Sequence, residues 1–97
     1  MNTVKIFVQK ACQKCPQAKQ TGADLQQLGW TVFEYDVQTA EGLAEAAFYG
    51  IKATPSFIVE DSGENVLGDF RGQVPELTVF NELCSRTVIN DRAENFN

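Results

Sequence analysis

Cys12-Gln13-Lys14-Cys15 places two thiols three residues apart directly after an apolar run, Val4-Lys5-Ile6-Phe7-Val8. At the start of a helix such a pair lies within one turn and can close into a disulfide. The unpaired N–H groups and positive dipole end of that helix favour thiolate over thiol. The chemistry is thiol–disulfide exchange, in which one thiolate attacks a disulfide on another molecule and the second thiol resolves the mixed disulfide. Cys12, expected at the helix N-cap and more exposed, is the expected nucleophile. Cys15, one turn in and shielded, is the expected resolving thiol. Lys10 and Lys14 add positive charge with no acid nearby in sequence, which also favours thiolate.

Metal binding is the chief rival reading. A closed zinc site takes four ligands, and the chain has three cysteines and no histidine, so such a site needs a carboxylate or a second subunit. A module in which CxxC pairs from two subunits hold zinc or an iron–sulfur cluster is therefore the alternative of a different class. A third is a docking domain whose dithiol is only a regulatory latch. A static structural disulfide fits poorly with a cytosolic chain. Cys84 falls on the apolar stripe of the last expected helix and reads as core.

The elements that must position the dithiol follow from periodicity. Strand one is expected over Thr3–Val8, with Val4, Ile6 and Val8 on one face and Thr3, Lys5 and Phe7 on the other. A helix should begin near Cys12, tolerate Pro16 in its first turn, bury Ala18, Gly22, Leu25 and Leu28, and stop at Gly29. Strand two is expected over residues 30–37. Thr39 should cap a short helix that buries Leu43, Ala46 and Ala47 and ends at Gly50. Strands over 55–60 and 65–71, joined by the polar loop 61–64, read as a hairpin. Pro75 should open the last helix, with Leu77, Phe80, Leu83, Cys84 and Val88 on its buried side. Residues 1–88 then form one domain, and 89–97 a polar tail expected to fray.

With 97 residues and 43% hydrophobic composition there is room for a single domain. No apolar run reaches the roughly 18 residues that a membrane helix needs. The N-terminus does not read as a signal peptide, so a cytoplasmic location is expected. The net charge of −5 argues against nucleic acid as a partner. That charge is unevenly placed: residues 1–23 hold Lys5, Lys10, Lys14 and Lys19 without an acid, +4 there and −9 elsewhere. The dithiol thus lies in the basic segment, whose field should attract acidic partner surfaces.

Tyr49-Gly50-Ile51-Lys52-Ala53-Thr54-Pro55-Ser56-Phe57 resembles the segment of the thioredoxin superfamily in which a helix ends, turns and enters a strand through a cis-proline. With the CxxC upstream, the resemblance covers residues 3 to about 86. It implies an α/β fold, thioredoxin-like of the glutaredoxin type (βαβ-α-ββα). The four-stranded mixed sheet then has order 2-1-3-4, flanked by helices, with Pro55 against the dithiol. A cis X-Pro bond turns the chain and leaves the Thr54 backbone free to pair with an extended substrate segment. The chain is similar to small glutaredoxin-like and thioredoxin-like proteins, because strand one leads straight to the dithiol. Gly68-Asp69-Phe70-Arg71-Gly72 also resembles the S-G-F-R-P segment of glutaredoxin-like hydrogen donors of ribonucleotide reductase, with Gly72 in place of its proline. Where thioredoxins carry a tryptophan and a buried acid ahead of the first cysteine, this chain has Ala11 and Ile6.

These readings together predict a dithiol electron carrier that needs no bound cofactor. It reduces protein or small-molecule disulfides and is itself reduced by glutathione or a thioredoxin reductase-like enzyme. The expected site is Cys12 and Cys15, Thr54 and Pro55 at the docking edge, and Lys10, Lys14 and Arg71 for charge. Neither nucleic acid nor membrane is an expected partner, and the chain is expected to act as a monomer.

Overall fold

The computed structural model describes residues 2–84. Val88 and the expected tail over 89–97 lie outside them. The elements run β1 Thr3–Val8, α1 Cys15–Gln27, β2 Thr31–Asp36, α2 Ala40–Tyr49, β3 Ser56–Glu60, β4 Val66–Arg71 and α3 over 77–84, the last described residues. The strands form one mixed sheet of order β2-β1-β3-β4. β1 runs parallel to β2, with Val4 opposite Val32 and Val8 opposite Asp36. It runs antiparallel to β3, with Phe7 opposite Ser56. β4 runs antiparallel to β3, with Ser56 opposite Arg71.

This topology decides where the site is. Parallel β1 and β2 both end at one edge of the sheet, where antiparallel β3 begins and β4 finishes. The loops after Val8, after Asp36, before Ser56 and after Arg71 therefore emerge side by side.

Alternation on β1 holds on both faces, because both are covered. Val4, Ile6 and Val8 join Ala18 and Leu25 of α1, Phe57 and Val59 of β3, and Phe80 and Leu83 of α3 in the larger core. Phe7, Ile58 and Ala46 form a smaller core on the α2 side, flanked by Tyr35, Val37, Tyr49 and Ile51. Gly22 lets α1 lie close to the sheet, since a Cβ there would come within 2.8 Å of Ile6 Cδ1. Gly50 ends α2 in the left-handed region at φ 66°, a conformation costly for any residue with a Cβ. Thr39 caps the other end, its Oγ1 accepting from the Gly42 N–H at 3.0 Å.

The α2-side core encloses charge. Lys5 Nζ donates to Tyr49 Oη at 2.7 Å and lies 3.7 Å from Glu60 and 3.5 Å from Glu45. Tyr49 Oη in turn donates to Glu60 at 2.7 Å. Burial works against the Lys5 charge, but the Tyr49 hydroxyl, Glu60 and Glu45 together outweigh it and raise its pKa above the ordinary lysine value.

Several expectations about the helices give way. Leu28 and Leu43 are exposed, as is Ala47. Thr21 takes a buried place on α1 and Gly42 one on α2. Short helices laid flat on a sheet bury a narrow stripe, so apolar residues one position off it face outward. Cys84 is likewise an exposed free cysteine rather than core, because α3 turns Phe80 and Leu83 inward and Cys84 sits about 100° round from Leu83. Pro75 is buried and precedes α3 by two residues. The first turn closes instead at Glu76, whose carbonyl accepts from the Val79 N–H at 3.0 Å.

Candidate active site

Cys12 and Cys15 are joined by a disulfide with Cα atoms 5.3 Å apart, an ordinary separation for such a bridge. α1 begins at Cys15 itself, with Lys14 as N-cap and no side-chain cap bond. This corrects the expectation of Cys12 at the N-cap. A helix capped at Cys12 would need the Pro16 nitrogen to donate to the Cys12 carbonyl, and proline has no proton there. The Cys15 N–H closes a turn onto that carbonyl at 3.4 Å instead. Cys15 is 2% exposed within the larger core, whereas Cys12 is partly exposed in the turn ahead of the helix. With no acid in the first turn of α1, nothing on that helix end opposes a thiolate.

The Thr54–Pro55 bond is cis and Pro55 is fully buried. Two anchors hold this loop. Ser56 Oγ donates to the Ala53 carbonyl at 2.6 Å and accepts from the Gly72 N–H at 3.4 Å. Arg71 donates to the carbonyls of Gly50 at 2.6 Å and Tyr49 at 2.8 Å, tying the end of α2 to the end of β4. Among the described residues the Thr54 backbone groups take no backbone partner.

Two hollows flank the bridge. A shallow one of about 280 Å³ brings Cys12, Gln13 and Lys14 together with Thr54 and Gly72. The other, about 260 Å³, lies behind the sulfurs and is bordered by Lys10, Lys19, Pro16 and Asp36. The structure thus gathers Cys12, Cys15, Lys10, Lys14 and Thr54 at one edge of the sheet. Arg71 does not join them. Its guanidinium is forked onto Asp69 at 2.8 and 3.0 Å, and the Asp69 hydrogen bond raises its pKa. Lys5 and Lys19 are also occupied, the latter by Glu34 at 3.8 Å. The cations near the dithiol without an ion-pair partner among the described residues are therefore Lys10 and Lys14, and the Asp36 carboxylate borders the same hollow as Lys10.

Sequence reasoning missed Asp36. The motif has no acid near it in sequence, but Val8 pairs with Asp36, which brings a carboxylate to the rear hollow. The signal was present: a parallel β1–β2 pair obliges the last residue of strand two to sit beside the loop that follows strand one. Gln9 and Gly72 were missed as well, because both are loop residues without a spacing pattern.

No family model matches the chain. Over 62 residues it is 31% identical to a probable thioredoxin of Archaeoglobus fulgidus, a match spanning 63% of this chain and 68% of that protein. Among solved structures it is similar to thioredoxin-2 of a malaria parasite, with a TM-score of 0.72 at 19% identity over 89% of this chain and 82% of that one. The Schistosoma mansoni thioredoxin pre-protein gives a TM-score of 0.68 at 22% identity, over 87% of this chain and 77% of that one.

Proposed function

The chain belongs to the thioredoxin superfamily and is a thiol–disulfide oxidoreductase, and from that premise we propose how its residues divide the work and where its electrons go. Cys12 is the attacking thiolate. It forms a bond to one sulfur of a substrate disulfide while the other sulfur leaves as a thiolate. The Cys15 thiolate then attacks Cys12 Sγ, closes the Cys12–Cys15 bridge and releases the second substrate thiolate. Two electrons pass from the dithiol to the substrate, whose two thiolates take up the protons released by the cysteines. The substrate segment lies extended along Thr54 at the edge formed with Pro55, where unpaired backbone groups can receive it.

The observation that carries this assignment is the contrast in burial: Cys12 borders an open hollow, whereas Cys15 is sealed in the core and reaches Cys12 more readily than any outside sulfur. Lys10 and Lys14 support a thiolate at Cys12 electrostatically. We place the protein in the cytoplasm as a monomeric electron carrier, reduced by glutathione or by a thioredoxin reductase-like enzyme and passing electrons to protein disulfides. Steady-state reduction of a peptide disulfide, driven in turn by glutathione and by a thioredoxin reductase, tests the reading. Turnover with one donor and its loss in Cys12→Ser support it; undiminished turnover in Cys12→Ser overturns it.

A further inference from the structure

Closing the bridge requires a proton to leave Cys15. That residue is 2% exposed and the cluster around it is apolar throughout. A bare thiolate is costly there, so the sulfur gives up its proton only as a nearby group accepts it. The core offers no such group. Among the described residues Glu60 is the buried carboxylate, and it lies with Lys5 on the opposite face of the sheet. The hollow that opens on Thr54 does not reach Cys15. The rear hollow does, and at about 260 Å³ it has room for several waters, each of which takes about 30 Å³ in the liquid.

Elimination among the walls of the rear hollow leaves one acceptor. Val8 and Pro16 bring no base, Gln9 brings an amide, and the ammonium groups of Lys10 and Lys19 have no lone pair to offer. Asp36 brings a carboxylate. Strand pairing with Val8 places it there, and its own carbonyl accepts from the Thr39 N–H at 3.0 Å and the Thr39 hydroxyl at 2.7 Å. Oδ1 accepts from the Gln38 N–H at 2.8 Å, whereas Oδ2 accepts no hydrogen bond among the described residues. The charged groups on the elements around Asp36 are Lys10 after β1, Lys19 of α1, which is paired with Glu34 of β2 at 3.8 Å, and Glu41 in the first turn of α2.

We propose that Asp36 is the proton acceptor for Cys15 during resolution, working through water held in the rear hollow. As Cys15 Sγ bonds to Cys12 Sγ, the bond between Cys12 and the substrate sulfur breaks and its electron pair leaves on that sulfur. The Cys15 proton passes through water to the Asp36 carboxylate, which returns it to solvent, where the departing thiolate takes one up. When a donor reduces the bridge, the same carboxyl supplies the proton to Cys15 as its sulfur leaves. The inference rests on Cys12 as the attacking thiol and Cys15 as the resolving one, and adds the group that lets Cys15 act.

The reagent 5,5′-dithiobis(2-nitrobenzoate) separates the two steps in a chain that also carries Cys84→Ala. Attack by Cys12 releases one coloured thiolate, and closure by Cys15 releases a second in a first-order phase. Asp36→Asn keeps the acceptor for the Gln38 N–H and removes the base. Its second phase should slow by about 100-fold at pH 7, the low end for general-base catalysis, while the first phase changes by less than about threefold, as expected for one partly exposed charge. The deficit should shrink towards pH 9, where hydroxide substitutes for the carboxylate. Asp36→Glu should regain part of the rate, and added acetate should accelerate the second phase of Asp36→Ala. A second phase slowed by less than about threefold in Asp36→Asn, or slowed equally at pH 7 and pH 9 without rescue by acetate, overturns the role of Asp36 and leaves the two thiols in theirs. A first phase that survives in Cys12→Ser removes the reading of Cys12, and this inference with it.

Discussion

Replacing Lys5 by methionine isolates what the buried charge cluster contributes. Methionine keeps most of the apolar stem but removes the ammonium, and with it the hydrogen bond to Tyr49 Oη. Glu60 is then left with 8% side-chain exposure and without its cation, which is itself 17% exposed. Breaking a buried pair from one side costs about 3–5 kcal/mol. The low end applies here, because Tyr49 Oη still donates to Glu60 at 2.7 Å and the lysine is not fully enclosed. A loss of about 3 kcal/mol corresponds to roughly 12–24 °C in Tm for a domain of this size. Urea denaturation followed by Trp30 fluorescence reads it directly: Trp30 is the single tryptophan and lies edge-on to buried Phe80 at 5.9 Å. Lys5→Met combined with Glu60→Gln should recover at least half of the loss, since the uncompensated charge that then remains, Glu45, is partly exposed. A loss below about 1 kcal/mol in the single variant, a value typical of exposed pairs, refutes the account. So does a double variant whose loss equals the sum of the two single losses.

Other perturbations bear on the hairpin loop between β3 and β4 and on the end of α2. Asp61 accepts from the N–H groups of Asn65 at 2.9 Å and Gly63 at 2.8 Å, and the backbone and side chain of Asn65 hold its carboxyl below the ordinary 3.8. A depressed carboxyl stabilises the fold above pH 3.8, and the contribution disappears as pH falls through the folded-state value. Acid titration of stability should therefore lose that component in Asp61→Asn. Glu64 occupies the left-handed region at φ 64°, so Glu64→Gly should raise stability by about 0.5–1 kcal/mol in urea melts, strain relief offset in part by chain entropy. Arg71→Met should speed hydrogen exchange at Gly50 and Ile51 by freeing the end of α2, and Arg71→Lys should not restore it, because an ammonium cannot fork across two carbonyls and a carboxylate.

Much of this was legible in the sequence. Alternation on β1, the Thr39 and Gly50 caps and the hairpin loop are local signals, and each sits where expected. The CxxC and Thr54-Pro55 pair was readable because each part is continuous in the chain. α1 begins later than the thiol spacing alone implies, because the missing donor of Pro16 decides where the helix can begin. Side-chain destinations were harder to read. Arg71 looked like a charge near the dithiol, yet its guanidinium closes a gap between β4 and α2 that exists only after folding. Lys5 looked like part of a basic segment, but strand alternation turned it under α2. Asp36 approached the sulfurs through strand pairing across 28 residues of chain.

The division of labour between the two cysteines is tested most directly by trapping. Cys15→Ser, reduced and mixed with a peptide disulfide, should accumulate a covalent adduct of one peptide per chain. Mass spectrometry should map that adduct to Cys12 and dithiothreitol should release it, while Cys12→Ser should form none at Cys15. Because Cys84 is exposed, both variants also carry Cys84→Ala. An adduct at Cys15 in the Cys12→Ser chain, or a Cys15→Ser chain that turns over without trapping, would contradict the order of attack set out here.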